Sequence, residues 1–203
     1  MVAKDGTTYY VGNEAIEKSN SSGLTLTYPL TNGYISDWEG YKKILRHAFA
    51  ALNVNPGDHE VLLSDAPLNP KANRERFTRI LFEDFNVKGL YVTQNALLAL
   101  HSTQRSTGLV FHSEEDASFA VPILNGHALD HAIMHLDIGN KDLEVNSEDV
   151  HEIIYNAIKK CDVTDQKIYY ANIIFSGITT TYPEMTEQVI TGIEEFAHPS
   201  MKI

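Results

Sequence analysis

Cysteine is nearly absent from this chain. Cys161 is the only one in 203 residues, which excludes an intrachain disulfide and fits a reducing compartment. Long apolar runs are lacking as well: no stretch reaches the roughly 18 residues that a membrane-spanning helix needs. Met1 to Tyr10 is polar and has no signal-peptide core. Positive charge is scarce, with 16 Lys and Arg against 27 Asp and Glu, a formal net charge of −11. Such a surface disfavours nucleic acid and anionic membranes, which select basic patches, and suits basic protein partners. There is no obvious short-period repeat and no long low-complexity segment. The cytoplasm is the expected location.

What is present is ordinary for a globular protein, 43% hydrophobic and 21% charged residues. A chain of this length buries a sizeable core in one or two compact units without disulfides or metals. Thr7 to Val11 reads as a strand, Ser19 to Gly23 as a loop, and Leu24 to Tyr28 as a half-buried strand ended by Pro29. Ser36-Asp37 caps a helix whose apolar face is Trp38, Tyr41, Ile44, Leu45, Ala48, Phe49 and Leu52. Val61 to Leu63 reads as a short buried strand. Asn69-Pro70 opens a second helix, with Phe77, Ile80, Leu81, Phe82 and Phe85 on its apolar side. Leu90 to Val92 is a strand leading into a short helix, Asn95 to Leu100. Gly108 to Phe111 and Ser118 to Leu124 are strands joined by an acidic connection. The pattern predicts helix over Ala128 to Leu136, a polar break over Asn140 to Ser147, helix from Ser147 to Lys159, strand over Ile168 to Phe175 and helix from Pro183 to Glu195. Interleaved strands and helices argue for an α/β protein.

Ala66-Pro67-Leu68-Asn69-Pro70-Lys71-Ala72-Asn73-Arg74-Glu75 closely resembles actin. Tyr28-Pro29 with Trp38, Gly108 to Ala128, Lys160-Cys161-Asp162 and Ser176-Gly177-Ile178-Thr179-Thr180 resemble it in the same order. The resemblance runs from about Tyr10 to Ile203 and implies an actin-like (actin/Hsp70/hexokinase-type) fold reduced mainly to its two large subdomains. By position, residues 1–27 look like a remnant of the small subdomain of the first lobe, and 28–105 like the incomplete large subdomain of that lobe. Residues 106–203 look like the large subdomain of the second lobe, with its small subdomain deleted near 143–147. The family's N-terminal strands and C-terminal helices have no counterpart, which implies unpaired sheet edges that a rearrangement or a partner chain must cover.

The same resemblance locates the candidate chemistry. Actin-like ATPases hold nucleotide phosphates between two glycine-bearing hairpins, because backbone N–H groups must approach the phosphate oxygens without a Cβ in the way. The first hairpin is absent. The second resembles an Asp-Ser-Gly-Asp-Gly turn but reads His112-Ser113-Glu114-Glu115-Asp116, with acids at both glycine positions. A triphosphate facing these acids would be repelled, by about 1 kcal/mol per charge pair at about 4 Å in bulk water. Ser113 and Glu115 are the remnants of nucleotide binding in this turn. Gln94 matches the glutamine that helps position the attacking water, and Phe119 stands where the family has a second, water-associated histidine. Gly177, Thr179 and Tyr182 match the loop near the adenosine, in which Ile178 replaces a glycine.

Metal sites are not expected. His112 with Glu114, Glu115 and Asp116 reads as a solvated acidic turn, since adjacent acids rarely converge on one ion. His131 and His135, four apart, would share one helical face but lack a third ligand. Cys161 lacks a paired base, and Ser113 and Ser176 lack any motif for acyl transfer. The reading is an actin-like cytoskeletal or assembly scaffold with protein partners, actin-family or assembly subunits among them, no nucleic acid and no membrane insertion. It is degenerate in ATP binding and hydrolysis and uses no cofactor. The alternative is a nucleotide-binding actin-type ATPase that takes part in filament assembly, with ATP or ADP and Mg²⁺ as cofactors.

Overall fold

The computed structural model describes residues 1–137, 147–177 and 183–197. The chain divides into two compact units, Met1–Leu63 with Asn69–Val92, and Ser64–Leu68 with Thr93–Ile203.

The first unit opens on a hairpin, β1 (Val2–Asp5) and β2 (Thr8–Val11), with β3 (Leu26–Thr27) on the other edge of β1. Between them lies α1 (Asn13–Ser22). The serine-rich stretch expected to be a loop is the last turn of this helix. Ser21 bonds back to the Glu17 carbonyl at 2.7 Å, and Gly23, with φ +67°, ends the helix by donating its N–H to Ser19 O at 3.0 Å. A left-handed cap of this kind favours glycine. A short hairpin, β4 (Leu30–Thr31) and β5 (Tyr34–Ile35), turns at Asn32-Gly33, both at positive φ.

Helix α2 (Trp38–Ala51) starts as expected, with the Asp37 carboxylate accepting from Glu39 N and Gly40 N, each at 3.1 Å. Leu52 lies beyond its end and is 70% exposed. Strand β6 (Glu60–Asp65) pairs with β7 (Gly89–Gln94), and α3 (Lys71–Glu83) joins them. Ile80, Leu81, Phe85 and Val87 form the core here, packed by Trp38, Leu45, Phe49, Val61, Leu63 and Leu90. The Phe49 and Phe85 rings are 5.5 Å apart. Leu62 and Phe82 were expected inside and are exposed. A strand alternates faces, so burial of Val61 and Leu63 turns Leu62 outward; Phe82 lies off the stripe made by Phe77, Ile80 and Leu81.

The second unit is built on β8 (Gly108–Ser113) and β9 (Ser118–Leu124), an antiparallel pair. β12 (Ile173–Gly177) runs parallel to β8 on its far edge, while β10 (His127–Ala128) and β11 (Met134–Leu136) both pair with β9. The two faces of β8 and β9 enter different cores. Leu109, Phe111 and Ala120 join residues of α5 (Ser147–Lys159), α6 (Val163–Tyr170) and α7 (Pro183–Phe196). Val110, Phe119, Val121 and Ile123 pack with Ala96 and Leu100 of α4 (Asn95–Ser102). Each fully buried Val, Leu, Ile or Phe here contributes about 1.5–3 kcal/mol.

Two expectations fail in this unit. Ala128 to Leu136 is not a helix: a turn at Asn125-Gly126, both at positive φ, sends β10 back along β9. A 3-10 turn over Asp130–Ala132 follows, and β11 then pairs with β9. Met134 and Leu136 pack into one core and Ile133 into the other, the period of a strand. Ile168 to Tyr170 belongs to α6, where Gln166, Tyr169 and Tyr170 are buried at spacings of three and four. Asn172 bonds back to Ile168 O and Tyr169 O, and the strand begins only at Ile173. Burial thus overrides the β-propensity of Ile-Tyr-Tyr. The expected break over 140–146 lies outside the described residues.

Candidate functional site

The register of the second sheet aligns four side chains in one row. Ser176 opposes His112, His112 opposes Phe119, and Phe119 opposes His135. Residues directly opposite in a sheet share a face, and Val110 and Phe119 show that this face packs against α4. Gln94 and Asn95 stand at the start of that helix.

The row is hydrogen-bonded into the β8–β9 turn. His112 Nδ1 is 3.1 Å from Ser176 Oγ, and its Nε2 is 3.3 Å from Glu114 Oε1. The same oxygen accepts from Asn95 Nδ2 at 2.9 Å. The sequence predicts a solvated acidic tip that includes Glu114, but these bonds draw Glu114 inward; only Glu115 and Asp116 are exposed. Glu114 N donates to Ala117 O at 2.8 Å, closing the base of the turn. On the opposite face, Ser113 is fully buried, with its Oγ accepting from Ser118 Oγ at 3.0 Å. Gly177 has φ +82°, and a Cβ there would fall onto the Ser113 carbonyl oxygen.

Gln94 precedes α4 without capping it, and its Oε1 is buried with no hydrogen-bond partner. Phe119 is fully buried and stacks on His135, centroids 4.6 Å apart. Asp137 Oδ1 lies 3.5 Å from His135 Nε2 without hydrogen-bond geometry. His131 sits in the 3-10 turn and His135 on β11, so the two do not share a helical face. Among the described residues no group of three or more His, Cys, Asp or Glu is placed to hold a metal. Cys161 is buried beside α6, its thiol donating to Ala157 O at 3.4 Å, and burial pushes its pKa up to about 11. Thr179 and Tyr182 lie outside the described residues.

A phosphate needs converging N–H donors. This turn has no glycine from 112 to 117, commits Glu114 N to Ala117, and presents carboxylates instead. The site thus brings together His112, Glu114 and Ser176, with Asn95 as a member that sequence reasoning missed, while Ser113 faces the other side of the sheet. Asn95 and Glu114 are 19 residues apart and His112 and Ser176 are 64 apart, so no local spacing announces either pair.

Interleaved strands and helices, with a central hairpin flanked by a parallel strand on one edge and a helix start at its turn, make this an α/β protein of actin-like fold. A protein-family model described as Actin matches residues 2–149, well over half of the chain. The chain belongs to the actin family. No helix among the described residues is long and apolar enough to cross a membrane.

Proposed function

We propose that this actin-family protein serves as a cytoskeletal or assembly scaffold in the cytoplasm, working through its surfaces and protein partners without ATP turnover. In this reading residues 1–27, 28–105 and 106–203 are the remnants of three actin subdomains, with the second lobe's small subdomain deleted near 143–147. One observation carries the reading. The Glu114 carboxylate, held by His112 and Asn95, occupies the turn that would have to offer donors to a phosphate. Ser113, Glu115, Gly177, Thr179 and Tyr182 are then vestiges of a nucleotide site, and no nucleotide or Mg²⁺ is used. The test is calorimetric titration of the folded chain with Mg-ATP and Mg-ADP. No heat of binding is expected, and micromolar affinity would sink the reading.

A second reading, an actin-type ATPase that assembles with nucleotide, draws on Gln94. Its buried, unpartnered Oε1 is a spare acceptor of the kind that can orient a water. That reading requires Mg-dependent ATP hydrolysis that disappears in Gln94→Ala.

A further inference from the structure

Ser176, His112 and Glu114 form a line of hydrogen bonds that a scaffold leaves unused. Ser176 Oγ lies 3.1 Å from His112 Nδ1, His112 Nε2 lies 3.3 Å from Glu114 Oε1, and Asn95 Nδ2 donates to that oxygen at 2.9 Å. A carboxylate can only accept, so its bond with Nε2 places the ring proton there. In the neutral ring Nδ1 is then an acceptor, and the Ser176 hydroxyl must be the donor. The proton order is that of a nucleophile, its base and an orienting acid, with the two ring nitrogens exchanged relative to the serine-protease arrangement. The sheet sets the geometry: Ser176 directly opposes His112 in the parallel ladder, and Glu114 follows β8 by one residue. The His112 and Glu114 side chains are 14% and 32% exposed, and Ser176 is half-buried.

We propose that Ser176 is a nucleophile toward small activated esters, with His112 as its general base, Glu114 as the orienting carboxylate and Asn95 as the positioning residue that holds Glu114. Ser176 Oγ adds to the ester carbonyl carbon while its proton passes to His112 Nδ1. The tetrahedral adduct expels the alkoxide, which takes that proton and leaves as the alcohol, and acyl-Ser176 remains. Water, deprotonated by the same nitrogen, adds to the acyl carbon. Collapse releases the carboxylic acid and restores the Ser176 hydroxyl, so water is the only co-reactant. An ester with a good leaving group asks least of the imidazolium as an acid, which sets the substrate class. The inference does not rest on the scaffold reading, because it concerns ester carbonyls and not phosphate.

The test uses the full chain with a fluorophosphonate and with p-nitrophenyl acetate. Peptide mass mapping is expected to place the phosphonyl adduct on Ser176. p-Nitrophenol release should fall about 10²-fold or more in Ser176→Ala and in His112→Asn. Glu114→Gln and Asn95→Ala should lower kcat more than they raise KM. An adduct on another residue, no adduct, or release unchanged in Ser176→Ala would overturn the proposal. The mapping needs no variant, so it decides the question even where a substitution prevents folding.

Discussion

Replacing Gly177 by alanine should destabilise the second unit severely, and the reason is backbone rather than side chain. Gly177 pairs with Ser113 at the end of the β12–β8 ladder, with φ +82°. An added Cβ would press into the Ser113 carbonyl oxygen, with the carbonyl carbon and amide nitrogen of Ser113 at 3.1 and 3.3 Å. Ser113 is fully buried between β9 and β12 and cannot retreat cheaply. Holding an L-residue at left-handed φ costs about 1–2 kcal/mol, and forcing a methyl into packed structure adds about 1–3 kcal/mol. The lower entropy of the unfolded chain returns less than about 1 kcal/mol. The expected net loss is about 1–4 kcal/mol, a large share of the 5–15 kcal/mol typical of a folded domain. Urea unfolding followed by circular dichroism reads this as a lower midpoint at unchanged slope. Because the obstructing atom is a carbonyl oxygen, adding Ser113→Ala should give no rescue. A loss below about 0.5 kcal/mol, or recovery in the double variant, would refute the reasoning.

Gln94→Leu should raise stability by about 1 kcal/mol, since it removes a buried acceptor that has no partner. A lower melting temperature would mean that the amide is satisfied in solution. Asp37→Ala should cost about 1 kcal/mol by leaving Glu39 N and Gly40 N uncapped, and Asp37→Asn should restore most of it. Alkali should weaken the fold. Burial raises Cys161 from 9.0 to about 11, and Tyr169 and Tyr170 from 10.0 to about 12, so the unfolded chain releases these protons first. Their contribution to stability is whole below the unfolded values and shrinks as pH rises toward the folded ones. Unfolding curves at about pH 8 and about pH 10.5 check this, and equal stability at both would count against it. The same burial should keep Cys161 inert to iodoacetamide near neutral pH until the chain unfolds.

Elements with strong local signals were legible. The Asp37 cap, the Asn95 helix start, and the β8 and β9 runs sit where propensity and period place them. Misreadings came where tertiary pairing overrides local pattern. Met134 to Leu136 becomes a strand because β9 offers an edge, and Tyr169-Tyr170 becomes helical because the core beside Cys161 takes both rings. The loss of glycine from the second phosphate turn was plain in His112-Ser113-Glu114-Glu115-Asp116. The inward swing of Glu114 was not, since its partners come from α4 and from the neighbouring strand position.

By itself the sequence determined the family, the α/β class and which turn had lost its glycines, because these depend on residue type and short-range spacing. The tertiary structure alone decided what replaced them. Parallel pairing of β12 with β8 sets Ser176 against His112, and the start of α4 brings Asn95 to Glu114. The physical reason is that hydrogen bonds between residues 19 and 64 positions apart are set by sheet register and helix packing, which no local window of the chain contains.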